Sequence, residues 1–435
     1  MERLKLPLVD AVAEDRAVRA AVEAMLGRIR KGGEQAVREI AAELDKWDGD
    51  FVLSSEKKAA LIAAVPENEK EDIRFAHTQI RRFAEAQRDS IREFSIVTEP
   101  GVVLGQKLVP VACAGCYVPG GRYAHAASAL MSVATAKAAG VPFIIAASPP
   151  RGTSIAPAVA YAMDLAGADM ILEMGGVQAI AAMAFGLFGL PKADILVGPG
   201  NQFVAEAKRQ LFGEVGIDLF AGPTESAIIA DDTADAMTVA IDLASQAEHG
   251  TNSPVWLFTL SRRLGETVMR ILPQIAADMP SGNVVMQAWE NHGEVIHCQT
   301  REEICEVSDH YASEHLQVIA EDLEWWKANL RNYGSLFLGE GSTVTHGDKC
   351  SGTNHILPTR RAARYTGGLN VMKFLKVLTF QEISPQANRA FSSAGSRISR
   401  IEGMDGHARA CDWRLRKYNP GTNWDFEVTD QKRID

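Results

Sequence analysis

The chain lacks the features that bring proteins into membranes or onto nucleic acids. Its 435 residues contain no apolar run of the roughly 18 to 20 residues needed to cross a bilayer. The formal net charge is -10, so the dense Lys and Arg surface that phosphate backbones require is absent. The opening MERLKLPLVD also lacks a secretory pattern. We therefore expect a cytoplasmic protein with small-molecule partners and neither membrane nor nucleic acid among them.

Cysteine is sparse, and the common nucleotide fingerprints are missing. Six cysteines are scattered through the chain, which suits reduced thiols better than a disulfide framework. Cys113 and Cys116 form a C-x-x-C, but without a second pair for zinc or a thioredoxin-like setting a redox or metal role is disfavoured. Neither G-x-G-x-x-G nor a P-loop occurs, so any nucleotide must bind by another route.

What is present indicates a folded α/β protein. Hydrophobic residues make up 46% and charged residues 23%, and the length favours two or more compact units. Apolar residues recur at helical spacing in segments 17–30, 34–47 and 72–94. From Val109 onward, short β-prone runs alternate with Ala-rich helical stretches, which is typical of a wound α/β sheet. The strand candidates are residues 143–147, 170–174, 195–197, 227–230 and 255–260. The tail after Gly368 is predicted to be helical at first.

Glycine follows two of these strand candidates. Gly175 and Gly176 follow the strand at 170–174, and Gly198-Pro-Gly-Asn follows the strand at 195–197. Open α/β sheets usually hold ligands at the carboxyl ends of their strands. Both loops are therefore candidate cofactor contacts, although in either one alone the glycines can simply turn the chain.

Four polar clusters are candidates for the chemistry. Gln246 and His249 are three residues apart and would share one face of a helix, either to bind an ion or as satisfied polar groups at a helix end. Glu314 and His315 are adjacent, and form either an acid/base pair or a surface dipeptide. The third and fourth clusters are residues 348–355 and 402–407.

Together these clusters resemble one enzyme family. The segments IDLFAGPTESAIIAD, SQAEHG, SEHLQV, GDKCSGTNHILPT and EGMDGH occur in the order and near spacing found in histidinol dehydrogenases. The similarity runs from about residue 109 to 414. It implies an α/β fold of two Rossmann-like domains that lack the fingerprint, with a helical N-terminal segment and a small C-terminal element exchanged in a dimer. The implied domains are an arm at 1–14, a first α/β domain at 15–116 and 225–367, a second at 117–224 and a tail at 368–435.

The resemblance also implies a site. Zinc would be held by four residues, of which the last comes from the partner subunit, so that activity requires a homodimer: Gln246, His249, Asp348 and His407. His315 would take the proton of the alcohol, and Glu314 would activate water for a second oxidation. The family carries an alcohol through a retained aldehyde to a carboxylate with two NAD. The implied contacts are Tyr117, Gln178 and Asn201 for NAD, and Thr224, Lys349, His355, Arg364 and Glu402 for substrate.

One stretch departs from typical histidinol dehydrogenases. They carry an acidic residue a few positions before the aspartate ligand, whereas this chain has STVTHG there and Lys349 directly after Asp348. Arg360, Arg361 and Arg364 follow, which favours an anionic substrate unless they form a solvated basic loop.

Two further stretches distinguish branches of the family. GCYVPGGRYAHAASALMSVATAKAAG and RYTGGLNVMKFLKVLTFQEI are more similar to the sulfopropanediol 3-dehydrogenase branch, which oxidises 2,3-dihydroxypropane-1-sulfonate to 3-sulfolactate. We expect that reaction. The alternative is L-histidinol dehydrogenase of histidine biosynthesis, since Glu402 would suit the amine of histidinol.

Overall fold

The computed structural model describes residues 1–8, 16–120, 124–220 and 222–429. Contacts divide the chain into two compact units, one of residues 1–90 and 110–374 and the other of residues 91–109 and 375–435. The larger unit contains a six-stranded and a five-stranded sheet, and the smaller a three-stranded sheet, so the expected mixed α/β fold is confirmed. Within the described ranges, no helix combines the length and apolar character needed to span a membrane.

The elements follow in chain order. The strands are β1 (Glu2–Lys5), β2 (Phe94–Glu99), β3 (Val102–Pro110), β4 (Cys113–Tyr117), β5 (Phe143–Ser148), β6 (Met170–Glu173), β7 (Ile195–Val197), β8 (Gly216–Ile217), β9 (Ser226–Ala230), β10 (Val255–Thr259), β11 (Glu294–His297), β12 (His315–Ile319), β13 (Ser335–Leu338) and β14 (Leu375–Ile383). The helices are α1 (Arg16–Leu44), α2 (Ser55–Ala63), α3 (Glu67–Asp89), α4 (Ala126–Ala139), α5 (Pro157–Ala166), α6 (Gly176–Phe185), α7 (Gln202–Leu211), α8 (Ala236–Ala247), α9 (Arg262–Asp278), α10 (Gly282–His292), α11 (Arg301–Tyr311), α12 (Leu323–Asn329), α13 (Val344–Lys349), α14 (Asn388–Ile401) and α15 (Asp405–Tyr418).

The five-stranded sheet has the order β6-β5-β4-β7-β8, and its pairings are parallel. Every residue of β4 is buried, as expected where helices cover both faces of a parallel sheet. One group of packed helices is α1, α6 and α7, and another is α3, α4 and α5. The chain order reverses between β4 and β7, and this is where such sheets open a crevice at their carboxyl ends.

The six-stranded sheet has the order β1-β11-β10-β9-β12-β13. Its central strands are parallel, and β1 pairs antiparallel with β11 at one edge. Here the chain order reverses between β9 and β12. Helices α8, α9 and α10 pack on one another and contact this sheet. The strands that bracket the reversal begin with Ser226 and His315, which are paired in register.

The smaller unit contains the sheet β14-β3-β2 and two helices that pack together, α14 and α15. Strand β2 is exposed along its whole length. Between the helices, Arg400 Nη2 lies 2.7 Å from Asp412 Oδ2, and the Asp412 side chain is 1% exposed. Ser396 donates a hydrogen bond of 2.6 Å to the same carboxylate, so this polar contact joins the two helices.

The strand candidates are confirmed, but three other expectations need correction. Segments 17–30 and 34–47 are confirmed as two helical stretches of α1, separated by a kink where Gly33 has φ 56°, but the second stretch ends at Leu44 rather than at residue 47. Helix α3 ends at Asp89, earlier than predicted, because the chain continues into β2. The tail begins with only a short 3-10 helix at Val371–Phe374, and the longer helix predicted there was wrong. Strand β14 follows instead, stabilised by pairing with β3, a distant partner that local spacing does not reveal.

Contacts also group some segments differently from the expected domains. Residues 91–109 belong with the tail, and helices α1 to α3 pack on the helices of the five-stranded sheet rather than on the six-stranded one. Of the expected arm at 1–14, residues 2–5 form β1, and residues 9–14 lie outside the described ranges.

Candidate active site

The three expected NAD contacts lie at the carboxyl edge of the five-stranded sheet. Tyr117 ends β4 and is 4% exposed, Gln178 lies in the first turn of α6, and Asn201 precedes α7. The Tyr117 hydroxyl accepts a hydrogen bond of 3.2 Å from Gly176 N, which links β4 to the start of α6. The sequence prediction that both glycine loops reach this edge is therefore confirmed, whereas the NAD contacts themselves stay a prediction.

Two of these side chains also have partners within the chain. Gln178 Nε2 donates to Asp45 Oδ2 at 2.6 Å, and no described residue bonds its buried Oε1. Asn201 Oδ1 caps α7 by accepting from Phe203 N at 3.0 Å and from Val204 N at 3.2 Å. A buried acceptor without a partner is costly unless a ligand or water completes it. Gln178 thus fits a residue that awaits a donor from a bound molecule.

Glu314 and His315 lie at the amino end of β12, at the order reversal of the six-stranded sheet. Glu225, which directly precedes β9, holds both: its N donates to Glu314 Oε2 at 3.1 Å, and its carbonyl accepts from His315 N at 3.0 Å. His315 Nδ1 lies 3.8 Å from Glu314 Oε2, and His315 Nε2 lies 3.3 Å from Asp348 Oδ1. Neither ring nitrogen has an aligned hydrogen-bond partner among the described residues, although the side chain is only 3% exposed.

Burial and mutual charge set the protonation of this group. Burial raises the pKa of Glu314 to about 8. Burial alone would lower the pKa of His315, but the Glu314 and Asp348 carboxylates outweigh it and raise that pKa to about 9. Burial would raise the pKa of Asp348, yet its contact with His315 holds it well below the usual range. Asp348 is therefore an anion throughout the physiological pH range.

Three of the four expected zinc ligands belong to the larger unit. Gln246 is in the last turn of α8, 3% exposed, with no described partner for its buried Oε1. His249 follows the cap of that helix, so the two residues do not share one helix as predicted, although His249 N still donates to Gln246 O at 3.3 Å. His249 Nε2 lies 3.9 Å from Asp348 Oδ2. His407 is exposed on α15 of the smaller unit.

A bond between two helices supports this arrangement. Thr343, at the N-cap position of α13, donates to Asp242 Oδ1 of α8 at 2.9 Å. Asp242 lies one helical turn before Gln246, and Asp348 lies in α13.

Among the described residues no group of three or more His, Cys, Asp or Glu side chains is arranged as a metal site. The donor set here is instead one imidazole, one carboxylate and one amide, which is compatible with zinc when a further ligand is added.

His355 supports the segment that carries Asp348. Its Nδ1 lies 2.8 Å from the carbonyl oxygen of Asp348, and its Nε2 lies 2.8 Å from Ser128 Oγ. A carbonyl only accepts, so Nδ1 carries the proton and Nε2 accepts from Ser128. Burial lowers the pKa of His355 to about 4, which keeps the ring neutral. Both ring nitrogens are therefore engaged within the chain, and a role in substrate contact stays a prediction.

The remaining expected substrate contacts have different surroundings. Lys349 is exposed, and its charge adds to burial in lowering the pKa of three histidines: His125, His249 and His355. Thr224 is half-buried and directly precedes Glu225. Arg364 is exposed and donates to Arg361 O at 3.1 Å. Glu402 is exposed at the end of α14 in the smaller unit. Of these residues, Lys349 is the one whose charge acts on His249 and His355, the histidines beside Asp348.

Sequence reasoning missed Glu225. Its side chain is 8% exposed, Oε1 accepts from Arg360 N at 2.8 Å, and no described residue bonds Oε2. Burial raises the pKa of Glu225 to about 7. The available signal was a carboxylate two positions before the apolar run at residues 227–230, where a charged side chain must be buried or turned aside.

Comparison with known proteins identifies the family. The family described as Histidinol dehydrogenase matches residues 10–415. A "Histidinol dehydrogenase homolog" of Ruegeria pomeroyi is 60% identical over 402 residues, covering 92% of this chain and 93% of that protein. A "Sulfopropanediol 3-dehydrogenase" of the same organism is 54% identical over 429 residues, covering 98% and 99%. The crystal structure of a histidinol dehydrogenase from Elizabethkingia anophelis has a TM-score of 0.90 and 32% identity, with 95% of each chain covered.

The chain therefore belongs to the histidinol dehydrogenase family, as the motifs indicated. It is an NAD-dependent oxidoreductase that acts through an aldehyde to an acid.

Proposed function

We propose that this enzyme oxidises a small anionic primary alcohol, specifically 2,3-dihydroxypropane-1-sulfonate, to 3-sulfolactate, using zinc and NAD. The observation that carries the proposal is the position of Lys349, whose ammonium acts on the histidines around Asp348. A cation there favours a sulfonate and disfavours a second cation such as the amine of histidinol. The 54% identity to a sulfopropanediol 3-dehydrogenase along nearly the full chain gives independent support.

Gln246, His249 and Asp348 would hold the zinc, with His407 as the ligand from a partner subunit. Three properties fit this role: Gln246 Oε1 is buried without a described partner, Asp348 is anionic, and burial lowers the pKa of His249, which keeps the imidazole neutral for ligation. When bound, zinc supplies a Lewis acid beside the alcohol oxygen and a charge that lowers the pKa of neighbouring acids.

His315 is the base for the alcohol proton. Its Nε2 is the ring nitrogen that faces Asp348, and the ring must be neutral before it can accept a proton. Without a nearby cation the carboxylates keep His315 protonated, so the positive charges around Asp348 are needed to make it a base. Lys349 directly follows Asp348 in the chain and would contribute one such charge.

Glu314 serves the second oxidation, in which water adds to the aldehyde. Its carboxylate form, held at Oε2 by Glu225 N, accepts a proton from that water as the new bond to carbon forms. The raised pKa of Glu314 suits this task, because a base with a pKa near the working pH transfers protons most effectively. Tyr117, Gln178 and Asn201 would hold NAD, which would supply the hydride acceptor, one NAD for each oxidation.

A homodimer is part of the proposal. The smaller unit exposes apolar side chains on strands and helices alike, which is expected of a surface that another chain covers. These residues are Phe94, Ile96, Val97, Val377, Leu378, Phe380, Phe391, Ile398 and Ile401. Light scattering coupled to gel filtration tests this part, and a monomeric active enzyme would contradict it.

The second candidate substrate is L-histidinol, because the carboxylate of Glu402 would suit its amine. A screen of NADH formation by purified, zinc-loaded enzyme separates the two. We expect turnover of 2,3-dihydroxypropane-1-sulfonate, at least tenfold lower kcat/KM with the neutral propane-1,2-diol, and none with L-histidinol. The Lys349→Met variant should lose most of the preference for the sulfonate over the neutral diol. Equal or better turnover of neutral or aminated alcohols would refute the proposal.

A further inference from the structure

A fully buried ion pair lies beneath the glycine loop that follows β7. Lys208 Nζ and Asp218 Oδ1 are 2.6 Å apart, and their side chains are 1% and 0% exposed. Lys208 belongs to α7, and Asp218 follows β8. Two charges lose their hydration when they are buried, and a well-packed apolar pair often stabilises a protein as much or more. Such a pair therefore calls for a role besides stability.

Both members of the pair bond the backbone of one residue. Lys208 Nζ donates to Gly198 O at 2.8 Å, and Gly198 N donates to Asp218 Oδ2 at 2.8 Å. Asp218 Oδ1 also accepts from Leu219 N at 2.7 Å. The backbone N–H of Gly198 is thus bonded to the Asp218 carboxylate, and its carbonyl oxygen to the Lys208 ammonium. Charged partners make these hydrogen bonds stronger than ordinary backbone bonds.

The held residue packs directly on an expected NAD contact. Gly198 has φ 118°, and a Cβ at this position would lie 2.0 Å from the carbonyl oxygen of Tyr117. Only glycine allows this approach. Three residues later, Asn201 caps α7, the helix that carries Lys208. The loop 198–201 is therefore fastened at its first residue by the ion pair and at its last by the helix cap.

We propose that the Lys208–Asp218 pair is a positioning device for the nucleotide, which fixes Gly198 and holds loop 198–201 against Tyr117 in the conformation that receives NAD. The inference rests on the proposed function, because it takes Tyr117 and Asn201 as NAD contacts. Neither Lys208 nor Asp218 touches the cofactor. A loop ordered in advance binds more tightly, since the entropy cost of ordering is met during folding.

Direct titration of NAD into the purified enzyme without alcohol, by calorimetry, tests this role in two variants. Lys208→Met leaves a buried carboxylate unpaired and should lower Tm. The double variant Lys208→Met with Asp218→Asn removes both charges and keeps an acceptor for Gly198 N, so part of the Tm should return. We expect the Kd for NAD to rise at least tenfold in both variants, with zinc content unchanged and faster amide exchange in residues 198–204.

The control is Glu294→Gln in the other sheet, where the buried carboxylate accepts from the Tyr311 hydroxyl at 2.9 Å. This variant should lower Tm without changing the Kd. A double variant that recovers Tm and binds NAD like the wild type would overturn the inference. Should neither variant fold, Lys208→Arg keeps a buried cation but shifts its donors, and an unchanged Kd in that variant would equally overturn it. Failure of the wild type to bind NAD would instead remove the proposed function, and this inference with it.

Discussion

Replacing Glu225 by glutamine should change how the stability of this enzyme depends on pH. In the folded protein burial raises the pKa of Glu225 to about 7, against the ordinary value of 4.5 for an exposed glutamate side chain. Between these two values the unfolded chain releases the proton while the folded chain retains it. The stability that the protonated carboxyl contributes is therefore complete below pH 4.5 and is lost as the pH rises to about 7. Glutamine cannot ionise, so the variant avoids this loss.

The magnitude follows from the shift. The pKa of Glu225 is 4.5 in the unfolded chain and about 7 in the folded protein, and each pKa unit corresponds to about 1.36 kcal/mol. The shift therefore changes the free energy of unfolding by about 3 kcal/mol in total, of which about 2 kcal/mol is lost between pH 5.5 and 8.5. Glutamine also keeps an oxygen for the bond from Arg360 N, so the folded geometry is retained.

Equilibrium unfolding in urea, followed by tryptophan fluorescence at fixed protein concentration with a chelator present, measures the effect. Relative to wild type, Glu225→Gln should gain about 2 kcal/mol in the free energy of unfolding as the pH rises over that interval. Glu340→Gln, which changes an exposed carboxylate, is the control and should show no such gain. A constant difference between Glu225→Gln and wild type across the interval would refute the reasoning.

Two further predictions concern the site around Asp348. Asp348→Asn should lose most of its zinc, measured by plasma mass spectrometry after dialysis, because an amide cannot replace the carboxylate charge; zinc retained at wild-type content would exclude Asp348 as a ligand. His355 should show no change in its C2 proton shift between pH 5.5 and 8 by NMR, because burial lowers its pKa to about 4, whereas a titration midpoint near 6.5 would contradict the bond from Ser128.

The sequence predicted those parts of the fold that depend on local pattern. The strand candidates were found because buried parallel strands are short apolar runs, and the carboxyl-end rule led from them to Gly176 and Gly198. The same rule gives no access to Glu314 and His315, which lie at the amino end of β12. Their adjacency made them candidates, but the choice of an acid/base pair came from the family motifs, since nothing local distinguishes a buried catalytic dipeptide from a surface one.

Long-range partners explain what was missed. Glu225 and Glu314 are 89 residues apart in the chain, and their contact arises only when β9 and β12 pair. Lys208 and Asp218 are 10 residues apart, but as a sequence pattern they resemble an ordinary surface pair. The sequence of β14 was predicted to be helical because its local pattern does not reveal β3, the strand whose pairing decides the conformation of β14. For Glu225 and for β14 the decisive interaction joins residues that no short window contains, and for Lys208 and Asp218 the missing information is their burial.

The pairing of β14 with β3 has a consequence for synthesis on the ribosome. The hairpin of β2 and β3 emerges early, but the strand that covers the edge of β3 begins only at Leu375. At about 5–20 residues per second, the hairpin waits for on the order of 10–50 seconds with that edge open. An unpaired strand edge can pair with another chain, so nascent chains on the same messenger RNA are prone to associate with one another during this interval. We therefore expect chaperones to be needed by the nascent chain before β14 has been synthesised, rather than by the finished protein.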